Sequence, residues 1–332
     1  MNIKIHNPLS FSEQGQKANQ EDALFPPLGQ ATAAGRIFMV CDGMGGHEHG
    51  EVASQCVATT VGQHLNSVPL CTTAQMRNHF DQALAEAYQA LDRLDTDPHT
   101  LRKMGTTLTL LALCTDGVFV AHIGDSRVYQ FRRGQGIVFQ THDHSLVNDL
   151  IAAGELTEES ARNFPQKNVI TRAVQPHQEH PAKASCKVLT DVRAGDLFFL
   201  CCDGIVEQLD NVDLTRILLA DLPLDQRIGQ LRRECAYRHT RDNNSCYAIE
   251  VAEVEGAGPA AAVAQTTESV TVTRPTPPRT RHRLWWLIAA AAVVLLLCLL
   301  FFFLKAPDNP HQPVCDPPAN TQGVQAPIHR HQ

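Results

Sequence analysis

Apolar positions along this chain fall in short blocks that switch between two periods. "RIFMV" (36–40) is a run of strand-forming residues. Directly after it, Val52, Cys56, Val57, Val61 and Leu65 recur at helical spacing, and a second helical pattern covers roughly 74–93. Four β-rich runs follow between 105 and 141: "TTLTLLALC", "VFVAHI", "RVYQF" and "IVFQT". The links between them, "TDG", "GDS" and "RRGQG", have hairpin turn chemistry, which predicts one consecutive antiparallel meander. Helices are expected at 144–153, 157–163, 213–220 and 224–239, with "DLFFLCC" and "SCYAIEVAEV" as later strands. Near-continuous apolar strands are covered on both faces. The pattern therefore predicts an α+β fold in which antiparallel sheets lie between helical layers.

The pattern changes beyond residue 253. Residues 254–283 are rich in Pro, Ala and Thr without apolar periodicity and read as a flexible linker. "LWWLIAAAAVVLLLCLLFFFL" (284–304) carries no charge and is long enough for a single transmembrane helix. Arg279, Arg281, His282 and Arg283 precede it, only Lys305 follows closely, and Trp285 and Trp286 mark its basic end. By the positive-inside rule the folded part, 1–253, lies in the cytoplasm, at the inner membrane of a single-pass protein. Residues 305–332 then form a short disordered extracytoplasmic tail. In that tail Cys315 has no partner of its own; it would be free, lipid-modified or cross-linked to a second chain.

Composition narrows the class. The net charge of −7 lacks the basic excess that nucleic-acid binding requires. The first ten residues have no secretory signal. Eleven cysteines occur without a CxxC pair, and most of those before residue 250 lie inside apolar runs, as reduced, buried thiols would.

The chemistry collects where strands end. "IFMVCDG" runs into Asp42 and "DLFFLCCDG" into Asp203. "VFVAHIGDS" ends at Asp125, Asp242 precedes the last strand, and "NQED" supplies Glu21 and Asp22. Any one Asp-Gly is an ordinary turn. Several acids delivered to one rim of a sheet would repel one another unless a cation joined them, and oxygen ligands suit Mg²⁺ or Mn²⁺. Spacing alone leaves both readings open.

The ordered segments "KANQED" (17–22), "DGMGGHEHGEVAS" (42–54), "MGTTLT" (104–109), "HIGDSRVY" (122–129), "DHSLVNDLIAAGELTEES" (143–160), "NVITRAV" (168–174), "GDLFFLCCDG" (195–204) and "DNNS" (242–245) resemble the bacterial metal-dependent type 2C serine/threonine protein phosphatases. The resemblance implies a four-layer α-β-β-α sandwich with a binuclear Mn²⁺ or Mg²⁺ centre at one end. It implies Asp42 as the bridging ligand, the Gly43 carbonyl on one metal, and Asp203 and Asp242 completing the set. Asp125, with Asp203 shared, would hold a weaker third metal. Glu21 and Asp22 would act through metal-bound water, Asn243 would support Asp242, and metal-activated water would hydrolyse phosphoserine or phosphothreonine. Partners would be phosphorylated proteins, with a bacterial serine/threonine kinase or its substrates as the opposing system.

Two departures from the family pattern matter. Lys17 stands where the family usually has a phosphate-gripping Arg, so the contact becomes a point charge instead of a planar fork. Met44 stands where eukaryotic relatives have a His, which leaves His47 either to order the glycine loop or to serve as acid; His49 is expected in solvent. Segment 142–175 matches the family's variable flap beside the active site. Two other functions compete. "CAYRHTR" (235–241) has the C-x5-R spacing of cysteine-dependent phosphatases, and a membrane-anchored pseudophosphatase scaffold would keep the fold without turnover.

Overall fold

The structure is a computed structural model that describes residues 1–45, 49–95, 104–161, 164–166 and 169–256. The expected linker from residue 257 onward, the span at 284–304, the tail and His47 lie outside the described residues. Among the described residues no helix is long and apolar enough to cross a membrane.

In chain order the elements are β1 (Asn2–Ile5), β2 (Leu9–Glu13), β3 (Ala23–Phe25), β4 (Ile37–Cys41), β5 (Gly43–Met44), α1 (Gly50–Ser67), α2 (Thr73–Leu94), β6 (Gly105–Thr106), β7 (Leu108–Leu113), β8 (Val118–Ile123), β9 (Arg127–Arg132) and β10 (Gly136–Gln140). Then come α3 (Leu146–Ala152), α4 (Glu158–Ala161), β11 (Ser185–Leu189), β12 (Leu197–Cys201), α5 (Asp203–Val206), α6 (Asn211–Leu218), α7 (Leu224–Tyr237) and β13 (Asn244–Glu255). One sheet has the order β1-β13-β12-β9-β10, with β2 also on the long β13; the other is β11-β8-β7-β4-β3, and β5 pairs with β6. All pairings are antiparallel.

Alternation along the strands builds three apolar layers. In β4, Ile37, Met39 and Cys41 face α1 and α2, while Phe38 and Val40 face the other sheet. In β12, Phe198 and Leu200 point between the sheets, and Leu197, Phe199 and Cys201 pack on the α6 and α7 side. Both sheets are thus covered twice, which explains strands without a polar face. Helix α1 docks through Ala53, Val57, Val61 and Leu65; Val52, expected on that stripe, is exposed. Helix α2 starts in a capping box between Thr72 and Gln75.

One expectation fails in an instructive place. The runs from 105 to 141 do not form a single meander. "TDG" and "RRGQG" close the hairpins β7–β8 and β9–β10, but β8 and β9 belong to different sheets. "GDS" is a crossover between sheets: Gly124, at φ 100°, turns the chain there. Asp125 is thereby left at the open end of the sandwich.

A buried ion pair ties the six-stranded sheet together far from that end. Asp196, whose side chain is 1% exposed, accepts from Arg132 Nε and Nη2 at 2.7 and 2.8 Å and from Gln130 Nε2 at 2.8 Å. Asp196→Ala would leave the buried Arg132 guanidinium only Asp191, whose side chain is largely exposed, as an acidic partner. We expect a loss of about 3–5 kcal/mol in urea unfolding, with or without divalent metal. An unchanged midpoint would show that the pair contributes no net stability.

Candidate metal centre

The carboxylates arrive at one end of the sandwich because the elements that carry them begin or end there. Asp42 follows β4. It opens no hairpin, since the next residues form β5; its Asp-Gly is not a turn. Asp203 is the first residue of α5, Asp22 directly precedes β3, and Asp242 lies just before β13.

Asp42 is fixed through its backbone. Its N–H donates to Thr107 Oγ1 at 2.9 Å, and its carbonyl accepts from Thr107 N–H and Thr106 Oγ1, both at 2.9 Å. Thr107 Oγ1 in turn lies 2.8 Å from Ser126 Oγ, linking Asp42 to the Asp125 crossover. Gly43 donates its N–H to Glu21 O, and a Cβ there would sit 2.3 Å from Gly50 O and 2.4 Å from Glu21 O. Only glycine permits that approach.

Electrostatics sets this cluster apart from a group of turns. Burial, then the Asp203 and Asp242 charges, push Asp22 up to about 7. Burial with Asp203 and Asp143 does the same for Asp125, also to about 7. Asp203 rises to about 6, chiefly through burial. Burial, then the charges of Asp22 and Asp203, raise Asp42 well above the carboxylate range, and the neighbouring Asp203 carboxylate adds to the rise. Both oxygens of Asp22, Oδ1 of Asp125 and Oδ1 of Asp203 are shielded from solvent without a hydrogen-bond partner at normal geometry; Ser245 and Cys202 lie close enough to Asp22 to offset part of its rise. Buried, mutually repelling, unpartnered oxygens are costly unless a cation satisfies them. The donor set therefore fits hard divalent ions.

The other expected residues divide. Lys17 Nζ lies 2.8 Å from Asp242 Oδ1, with the side chain 44% exposed. Asn243 touches the Asp242 carboxylate only through its backbone N–H, at 2.8 Å. Its side chain instead clamps the first motif, accepting from Glu21 N–H and donating to Gln14 O and Asn19 O. Burial, with the charges of Glu51 and Asp242 against that of Lys17, raises Glu21. Met44 is half-buried, and His49 is exposed as expected.

Several participants carried no assigned role in the sequence. Thr106 and Thr107 sit in "MGTTLT", and Arg127 forks onto Asp143 at 2.7 and 2.6 Å at the head of the flap segment. His144 and Gly124 exchange bonds: Gly124 N–H donates to Nδ1 at 3.1 Å, and His144 N–H donates to Gly124 O at 3.0 Å. Cys202 brings a thiol next to Asp22 and Asp42. The motifs "MGTTLT", "GDSR" and "DHS" signalled most of these, but their partners lie far off in sequence. A cavity of about 740 Å³ opens beside the centre, lined by Asp125 and Asp203 and by Arg127, Arg238 and Arg241.

The C-x5-R segment has no phosphate cradle. Cys235 is buried in α7, and burial pushes its thiol up to about 11. The amides of Arg238, His239 and Thr240 are spent on Glu234, Ala236 and Cys235 carbonyls.

Comparison with known proteins agrees with this geometry. Residues 12–230 match the family described as Protein phosphatase 2C. Protein phosphatase PhpP of Streptococcus pneumoniae is 35% identical over 201 residues, 60% of this chain and 80% of that protein. Serine/threonine protein phosphatase PstP of Mycobacterium tuberculosis is 32% identical over 203 residues, 61% of this chain and 36% of that protein. Among solved structures, the S. agalactiae serine/threonine phosphatase superposes with a TM-score of 0.64 at 28% identity, over 74% of this chain and 98% of its own. The catalytic domain of PstP in complex with two manganese ions gives 0.59 at 28% identity, over 75% and 99%.

Proposed function

This chain belongs to the protein phosphatase 2C family and is a serine/threonine protein phosphatase, and from that premise we propose that its acidic rim is a binuclear Mn²⁺ or Mg²⁺ centre that hydrolyses phosphoserine and phosphothreonine in proteins. The observation that carries the assignment is the set of solvent-shielded, unpartnered carboxylate oxygens on Asp22, Asp125 and Asp203 beside Asp42. Asp42, the Gly43 carbonyl, Asp203 and Asp242 would hold two ions, Asp125 with Asp203 a weaker third, and Asp22 would act from the next layer. Bound there, divalent ions supply Lewis acidity toward the phosphoryl oxygens and a lowered pKa for attacking water.

The chain's own residues do the rest. Thr106 and Thr107 hold the Asp42 backbone so that its carboxylate faces Asp203. Asn243 locks residues 14–21 against the start of β13, which fixes Asp22 and Lys17 relative to Asp242. Lys17 compensates Asp242 and, being half exposed, can turn its ammonium to a phosphoryl oxygen once that carboxylate has another cation. Arg241 adds positive charge at the rim of the neighbouring cavity, whereas Arg238 there is already paired with Asp213.

Lys17→Arg should lower KM for a phosphopeptide several-fold by restoring a bidentate fork, with kcat changed less. If KM stays the same or rises, Lys17 is not the phosphate contact. The activity itself is tested by phosphate release from a phosphothreonine peptide by the full chain, with Mn²⁺ titrated in and EDTA as control. Metal-dependent release that resists thiol alkylation supports the assignment. Silence from folded, Mn²⁺-saturated protein would favour the scaffold alternative.

The span at 284–304 and its basic flank support a further placement: residues 1–253 act at the cytoplasmic face of the inner membrane, tethered by 254–283, and oppose a serine/threonine kinase. A protein that remains soluble after high-speed sedimentation of lysate would contradict the anchor. A screen of the host's purified kinases that yields no substrate would contradict the opposition.

A further inference from the structure

Cys202 gives the centre an inner edge that oxygen chemistry does not account for. Its sulfur and a carboxylate oxygen each of Asp22 and Asp42 lie within 4.8 Å of one another. The thiol is fully buried, and neither oxygen of Asp22 contacts solvent or has a hydrogen-bond partner at normal geometry. The sulfur is also held in place: Ser245 N–H donates to it at 3.1 Å, and it donates to Asn243 O at 3.4 Å. Cys201, one residue earlier, points to the opposite face of the sheet, among the residues packed on α7.

We propose that Asp22, Asp42 and Cys202 form a mixed oxygen–sulfur site for a borderline or soft divalent ion, Zn²⁺ or Cd²⁺, and that such an ion competes with Mn²⁺ for Asp42. Carboxylates alone favour hard ions, whereas one thiolate shifts preference toward zinc-like metals. A modest closure of the three groups brings them to the bond lengths of about 2.0–2.3 Å that such ions take with O and S ligands. Binding forms a metal–sulfur bond, breaks the S–H bond, and releases the thiol proton to solvent. No oxidant or reductant takes part. The site depends on the metal-centre assignment for its competition with Mn²⁺, but not for its own ligation.

The test is a Cd²⁺ titration of the reduced, full chain, read as the ultraviolet sulfur-to-cadmium charge-transfer band. The wild type should develop the band at equimolar Cd²⁺, Cys202→Ser should lose that component, and Cys201→Ser should keep it. Asp22→Asn retains the thiol and should need at least about tenfold more Cd²⁺, since losing even an outer-layer partner costs that much. It keeps the test decisive if Cys202→Ser fails to fold. A wild-type titration that matches Cys202→Ser, or an Asp22→Asn titration that matches the wild type, would overturn the proposal. If Mn²⁺-dependent phosphate release persisted alongside, the phosphatase centre would stand without the sulfur site. The band without any Mn²⁺-dependent turnover would support the sulfur site and count against the centre.

Discussion

Asp42→Asn should abolish metal-dependent phosphate release and, in EDTA, make the protein more stable. Both effects come from one property of the site. Asp42 is raised well above an ordinary carboxylate by burial and by Asp22 and Asp203. Asparagine is neutral at every pH: its amide can donate to Asp203, and it carries no charge to repel Asp22 or Asp125. A buried carboxylate whose folded pKa is raised costs free energy at pH 8, where the unfolded chain holds it ionised, and asparagine removes that cost, so the variant should gain at least about 1 kcal/mol. The same amide cannot serve as an anionic bridge between two cations. Because even outer-layer groups change metal affinity or activity by 10–100-fold, loss of a carboxylate proposed to hold the ions directly should reduce turnover by at least about a hundredfold. Thermal unfolding in EDTA at pH 8 and phosphate release in Mn²⁺ measure the two effects separately. Retained turnover would remove Asp42 from the centre. A variant less stable than wild type in EDTA would show that the carboxylates are not in repulsion.

The second large effect is on pH dependence. Asp22 and Asp125 stand at about 7 and Asp203 at about 6, against about 3.9 in an unfolded chain. A folded pKa raised above the unfolded value contributes stability that is full below the unfolded pKa. That stability is lost as pH rises through the folded pKa. Metal-free protein should therefore lose at least about 2 kcal/mol of unfolding free energy between pH 5 and 8. Saturating Mn²⁺ should abolish or reverse the slope, because deprotonated carboxylates are the form that binds cations. Chemical denaturation at a series of pH values, with EDTA or Mn²⁺, gives the comparison. A flat or rising EDTA profile over that window would contradict the shifts.

Much of this site could be read along the chain, for a definite reason. Asp42, Asp125, Asp203 and Asp242 each flank a long apolar strand, and strands buried on both faces are the strongest local signal in an α-β-β-α sandwich. What stayed hidden depends on pairing at a distance. The "GDS" link has the chemistry of a hairpin, and nothing local says that β8 and β9 join opposite sheets. Strands β1 and β2 are short and partly polar, and become strands by pairing with β13 from the other end of the domain. Edge strand β11 leaves Lys187 and Val188 exposed, which blurs its period. The hydroxyl of Thr107 reaches Asp42 across 65 positions, and Asn243 reaches Glu21 across 222. Asn243 shows the limit most clearly: next to Asp242 in sequence, it spends its side chain on the first motif.

The most direct test of the metal centre needs no substrate. Equilibrium dialysis of the full chain against Mn²⁺ should find at least two ions bound per wild-type chain and a clear deficit in Asp203→Asn, whose carboxylate is assigned to the paired ions and to the weaker third. A folded wild type that binds no Mn²⁺, or a variant that binds as many ions as wild type, would contradict the assignment.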